Sequence, residues 1–78
     1  MKLVEVKSSN IKAIGWENEV LRILFTNGRI YDYKNVPLMV FNRMLMEESK
    51  GSYFHRKINN KYVSKRMVED EQTLLQNL

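Results

Sequence analysis

A chain of 78 residues without cysteine is expected to form one domain, and it can hold neither a disulfide nor a thiolate metal site. Apolar residues make up 44% of it, enough for a packed core, yet no apolar run reaches the roughly 20 residues of a membrane span and none follows Lys2 as in a signal peptide. The formal charge of +4 conceals an asymmetry: residues 1–66 carry all 13 Lys and Arg against six acids, a balance of +7, while residues 67–78 carry Glu69, Asp70 and Glu71 without a base, a balance of −3. Absence of cysteine fits a cytoplasmic protein, and no membrane partner is expected. A domain this small buries only ~60% of the surface that its unfolded chain exposes, so a homodimer is one route to further burial.

Leu3 to Val6 alternates weakly and reads as a short strand. Ser8, Ser9 and Asn10 interrupt it, since such side chains bond nearby backbone in turns. Ile11 to Trp16 reads as extended, with a turn at Glu17-Asn18. Glu19 to Phe25 is a strand, Thr26-Asn27-Gly28 is the best turn signal in the chain, and Arg29 to Tyr33 returns as the partner strand.

Two registers are open to that hairpin. A tight Asn-Gly turn pairs Phe25 with Ile30 and sends Tyr31 and Tyr33 to the face of Arg22 and Arg29. A bulged loop with Gly28 in the left-handed region pairs Phe25 with Arg29. Leu21, Ile23, Phe25, Tyr31 and Tyr33 then share one face, and Arg22, Leu24, Ile30 and Asp32 share the other. The bulged register separates apolar from polar more cleanly and is favoured, because register follows the hydrophobic pattern where one face is buried. Its tyrosines line the core. The alternative is an exposed stacking platform.

Val36-Pro37 opens a helix, where proline costs no hydrogen bond. Val40, Phe41, Met44 and Leu45 form its apolar stripe, flanked by Leu38, Met39 and Met46. Glu47 to Gly51 is expected to end that helix with a glycine stop, and Ser52 to cap a short one over Tyr53–Ile58. Asn59-Asn60 breaks it, and Tyr62 to Met67 alternates enough for a strand or extended arm. Val68 to Leu78 reads as an acidic amphipathic helix with Leu74, Leu75 and Leu78 on one side.

Chemistry concentrates between Lys50 and Arg66, where six Lys and Arg, one His and three aromatic residues occur without an acid. Cations neutralise phosphates, and interleaved rings can stack on bases. Lys50, Arg56, Lys57, Lys61, Lys65 and Arg66 are the candidate phosphate ligands, with Tyr53 and Tyr62 as the stacking candidates. The inventory for catalysis is poor. His55 is the only histidine, no nucleophile, zinc or phosphate-loop motif occurs, and Ser8-Ser9 has no base near it in sequence. The paired carboxylates at Glu47-Glu48 and Glu69-Asp70-Glu71 are sequence neighbours, which point in different directions on a helix.

The ordered set SSNIKAIGW (Ser8 to Trp16), LRILFTNGRIYDY (Leu21 to Tyr33), VPLMVFNRML (Val36 to Leu45) and SKGSYFHRKI (Ser49 to Ile58), followed by Tyr62, resembles the KTSC domain. That family is named after the C-terminal extension of some lysyl-tRNA synthetases and also occurs as stand-alone bacterial and phage proteins. Tyr31-Asp32-Tyr33 matches its central Tyr-x-Tyr, and Ser49-x-Gly51-x-Tyr53-Phe54 its next signature after Val36-Pro37. Trp16 stands where the family usually has tyrosine, and His55 where it commonly has asparagine. The resemblance covers residues ~6–66, implies the fold, and suggests RNA through its attachment to a tRNA-charging enzyme.

The expectation is therefore an α+β domain over residues 1–66, an antiparallel meander of about three strands packed with one longer and one short helix, followed by an acidic tail over 67–78. It is expected to be a non-enzymatic nucleic-acid-binding module without a cofactor, with RNA ahead of DNA. The competing expectation is a protein-interaction domain, an accessory or phage-type inhibitor that binds a host protein.

Overall fold

The computed structural model describes residues 1–67, and the tail expected to be helical lies outside them. Five antiparallel strands run in chain order across one sheet: β1 (Val4–Glu5), β2 (Ile11–Glu17), β3 (Val20–Phe25), β4 (Ile30–Lys34) and β5 (Ser64–Arg66). The α+β class holds, but the strands are five rather than about three. The two beyond that count are the short edges, β1 of two residues and β5 of three, which lie within the segments read as extended, Leu3 to Val6 and Tyr62 to Met67.

The hairpin adopts the bulged register. Leu21 pairs with Tyr33, Ile23 with Tyr31 and Leu24 with Ile30. The Phe25 amide donates to the Arg29 carbonyl at 2.9 Å, and Gly28 takes a φ of +89° that costs glycine nothing. The β2–β3 turn is centred on Asn18-Glu19, one residue later than expected, with positive φ at both positions as a two-residue hairpin of this hand requires. A second bulge at Lys12 shifts the phase of β2, so that both Ile11 and Ile14 turn to the core while Ala13 turns away.

Helix α1 (Leu38–Met46) and the shorter α2 (Lys50–Tyr53) cover one face of this sheet. Pro37 is the N-cap of α1, in extended conformation. The Met44 side chain is fully buried, and Val40, Phe41 and Leu45 pack on the same core as the stripe predicts. Helix α2 is capped by Ser49, whose hydroxyl accepts from the Ser52 amide at 3.2 Å. Ser52 is thus not the cap, and Gly51 sits inside α2 rather than stopping α1. From Phe54 to Ile58 the helix widens into a single π turn, closed by the Asn59 amide on the Phe54 carbonyl at 2.8 Å. Helix α2 buries Tyr53, and the π turn buries Phe54 and Ile58 and leaves His55, Arg56 and Lys57 in solvent. Asn60, at a φ of 63°, ends it.

The core gathers Ile11, Ile14, Leu21, Ile23, Tyr33, Val36, Met44, Tyr53, Phe54 and Ile58. On the other face Ala13, Leu24 and Ile30 form a smaller cluster with Leu3 and Met67. No helix among the described residues is long and apolar enough to cross a membrane.

Candidate nucleic-acid interface

The basic run from Lys50 to Arg66 does not fold into one surface. The Lys50 ammonium donates to the Leu45 carbonyl at 3.0 Å and to the Glu47 carbonyl, which satisfies the C-terminal end of α1. Its charge closes a helix. Lys65 and Arg66 are exposed on the edge strand β5, opposite Asp32 and Tyr31 respectively, and therefore face opposite sides of the sheet. Charged side chains on an edge also block pairing with another sheet. Lys61 is exposed in the turn before β5.

The aromatic members depart from expectation. Tyr53 is only 3% exposed, and its hydroxyl donates to the Val40 carbonyl at 3.5 Å. A ring so covered offers no face to a base. Burial pushes its hydroxyl pKa up, with Tyr62 and Glu47 adding to the rise and Arg43 and Arg56 opposing it. Tyr62 is half-buried against the core. Tyr31 and Tyr33 are no platform either. Tyr33 is 5% exposed, with its ring edge-on to Phe54 at 5.7 Å, and Tyr31 meets Phe25 at 5.8 Å in the same manner.

Two features do assemble. Arg43 of α1 and Lys57 of the π turn line a cleft of about 250 Å3 above Tyr53, together with Met39 and Val40. Arg56 is exposed beside them, its Nε donating to the Ser52 hydroxyl at 3.3 Å. Arg43 has no place in the sequence run; its only signal is a cation on the polar side of α1, and only the packing of α1 on α2 brings it to Lys57.

The second feature is a groove of about 490 Å3 between the β1–β2 loop and α2, walled by Ser8, Ser9 and Asn10 on one side and by Ser49, Ser52 and His55 on the other. It joins two motifs quoted above, SSN and SKGSYF. The sequence offers Ser8-Ser9 no neighbouring base, whereas the fold brings His55 into the same groove. Among the described residues no hydrogen bond joins its ring to a serine, and no group of three or more His, Cys, Asp or Glu is placed to hold a metal.

Known proteins share this architecture. An uncharacterized protein of Stutzerimonas stutzeri is 33% identical over 58 residues, which cover 72% of this chain and 82% of that protein. A lysine–tRNA ligase of Nostoc sp. is 37% identical over 62 residues, so that 77% of this chain matches only 11% of the ligase. The crystal structure of a KTSC domain protein from Yersinia pestis superposes with a TM-score of 0.82 at 29% identity, over 85% of this chain and 96% of that one. The KTSC domain itself matches residues 7–62, a span that runs from the groove's first wall through both helices to Tyr62. With its motifs in order and its strands and helices superposed on a solved member, the chain belongs to the KTSC domain family.

Proposed function

We propose that the chain is a small non-enzymatic module that binds single-stranded nucleic acid, RNA ahead of DNA, through the cations of its helical side. The observation that carries this reading is the convergence of Arg43 and Lys57 above the covered Tyr53 ring, with Arg56 beside them. None of the three has an acidic partner among the described residues. The lysine–tRNA ligase that matches this chain is named for tRNA, which supports RNA over DNA. With Tyr33 and Tyr53 buried, stacking contributes little, and binding is electrostatic and tolerant of sequence. Each phosphate contacted on a single strand adds about −0.7 to the log–log salt slope, so three contacts give about −2. Changing Arg43, Arg56 and Lys57 together to glutamate should abolish the anisotropy change of a labelled RNA at low salt. All three side chains are exposed, so the fold should survive. Undiminished RNA affinity in that variant, with native unfolding behaviour, would overturn the reading.

A second reading rests on the outer side of α1, where Met39 is 74% and Met46 85% exposed. Such a patch supports a protein partner, including a second copy of the chain. Met39→Lys with Met46→Lys should then abolish association measured by light scattering and leave RNA affinity intact.

A further inference from the structure

We infer that the groove between the β1–β2 loop and α2 is a phosphate subsite, a step that rests on the nucleic-acid reading above. Its walls hold a polarised set of hydrogen-bonding groups. The Ser8 hydroxyl donates to Asn10 Oδ1 at 3.0 Å and accepts from the Ile11 amide at 3.3 Å. That fixes the Asn10 side chain with its oxygen occupied and its Nδ2 hydrogens available. Ser49 Oγ accepts from the Ser52 amide at 3.2 Å, and Ser52 Oγ accepts from Arg56 Nε at 3.3 Å. Each serine is left with a hydroxyl proton to give. The Ser8 proton is already given to Asn10, but at Asn10, Ser49 and Ser52 the internal bonds occupy an acceptor and leave a side-chain donor, and ionised phosphate oxygens are acceptors.

Charge agrees with this. Lys7 and Lys50 line the groove against one carboxylate, Glu48, and the Lys50 ammonium is already held in place by two α1 carbonyls. Shape agrees as well. A Cβ built on Gly51 would lie 2.9 Å from Asn10 Oδ1, so the glycine lets the two walls meet. Any larger residue would press into the floor.

The groove and the cationic cleft are joined through Arg56, which bonds Ser52 on one side and acts on the Tyr53 hydroxyl on the other. A backbone phosphate seated in the groove places the strand alongside Arg56 and Lys57. The cations draw the strand in, and the groove fixes one phosphate by hydrogen bonds that salt screens less.

The test uses the full chain, isotope-labelled, and two probes: inorganic phosphate and a short single-stranded oligouridylate. Amide signals of Asn10, Gly51 and Ser52 should move with both. Asn10→Asp keeps an oxygen for the Ser8 hydroxyl but replaces the amide donors with a carboxylate. Ser52→Ala removes a hydroxyl from the opposite wall. Each should weaken phosphate binding by about tenfold or more, the loss expected of one charge-assisted hydrogen bond. Two variants on separate walls guard against a local folding failure in either. If phosphate moves these signals and the oligonucleotide does not bind, the subsite stands as one for a small phosphorylated ligand, and the nucleic-acid reading falls. If the oligonucleotide binds both variants as it binds the parent chain, the subsite is overturned and the nucleic-acid reading stands. If neither probe moves the three signals, the subsite is overturned.

Discussion

Gly51 is pressed against Asn10, so closely that a Cβ at position 51 would sit 2.9 Å from the asparagine oxygen. The Asn10 side chain is short and is held by the Ser8 hydroxyl, so it can yield only by breaking that bond. Gly51→Ala therefore sets two effects against each other. Alanine in place of glycine inside α2 gains about 1 kcal/mol of helix propensity. Loss of the exposed Ser8–Asn10 bond costs about 0.5–1.5 kcal/mol. The two nearly cancel, and the melting midpoint should move by less than about 5 °C. The Asn10 side-chain amide signals should nevertheless shift, because the groove floor has been filled. A midpoint drop several times larger would show that the contact holds the fold and not merely the groove.

Tyr33 lies opposite Leu21 and is nearly fully covered, whereas Tyr31 is only partly buried against the core. Tyr33→Ala should cost about 3–5 kcal/mol, the range for emptying an aromatic core site. Tyr31→Ala should cost about 1–2 kcal/mol. The same burial makes Tyr33 a source of alkaline lability. Its hydroxyl pKa is pushed from 10.0 up to about 12, first by desolvation and then by Tyr31. A raised pKa means that the folded state holds the proton more firmly than the unfolded chain. The stabilisation is therefore complete below pH 10 and is lost as the pH climbs through 12. Two pH units correspond to about 2–3 kcal/mol. Urea unfolding followed from neutral pH to pH 12 should show the fall, and Tyr33→Phe should flatten much of it. An identical alkaline profile in Tyr33→Phe would place the titration elsewhere.

The central hairpin was legible because turn chemistry and hydrophobic pattern agreed. Asn27-Gly28 marked the loop, and only the bulged register put both tyrosines with Leu21, Ile23 and Phe25. The edge strands were not legible in the same way. Leu3 to Val6 and Tyr62 to Met67 alternate only weakly and read as extended, but Val4-Glu5 and Ser64-Lys65-Arg66 are exposed, so nothing in their pattern ties them to the sheet; their pairing comes from the strands beside them. The candidate site was misread for a related reason. A basic run with tyrosines looks like a surface, but helix phase turns Tyr53 of α2 and Phe54 of the π turn inward, and the Lys50 ammonium is tied to carbonyls at the end of α1. Helix phase and helix-end chemistry, not composition, decided which side chains reached solvent. Arg43 entered through tertiary packing alone.

Arg22 and Asp32 face each other across β3 and β4 in a two-pronged pair, Nε to Oδ1 at 2.7 Å and a terminal nitrogen to Oδ2 at 2.9 Å. Their side chains are 27% and 14% exposed, so water screens them only in part. The hydrogen bond to Asp32 is the main cause that raises the Arg22 pKa, against the lowering effect of burial. Fully exposed pairs are worth about 0.2–1 kcal/mol. This one has better geometry and less water, and Asp32→Ala should cost about 1–3 kcal/mol by leaving a half-covered guanidinium without its partner. A double-mutant cycle with Arg22→Ala isolates the pair. A coupling of more than 1 kcal/mol is expected, and a value below about 0.5 kcal/mol would class it with ordinary surface pairs.

Gly15 lies in β2 opposite Arg22, on the sheet face away from the helices. The chain entering β1 crosses directly over it. A Cβ there would come 2.6 Å from the Lys2 carbonyl oxygen and 2.7 Å from Leu3 Cδ2. Backbone cannot step aside as a flexible side-chain tip can. Gly15→Val must therefore lift the whole segment, drawing Leu3 from the Ala13, Leu24 and Ile30 cluster and straining the Val4–Ile14 pairing. Valine brings up to about 1 kcal/mol of strand preference. Losing the packed leucine and the β1 ladder outweighs it, for a net cost of about 1–3 kcal/mol. Loss of hydrogen-exchange protection should concentrate at the Val6 amide, bonded to the Lys12 carbonyl at 3.1 Å, and at the β1–β2 pairs. A second comparison separates this cause from a general weakening of β2. Removing residues 1–5 should cost a similar amount in the parent chain, and in that shortened chain Gly15→Val should be neutral or slightly stabilising, since nothing remains above it. Equal destabilisation by Gly15→Val in both backgrounds would mean that the glycine serves β2 itself and not the passage of the N-terminal segment.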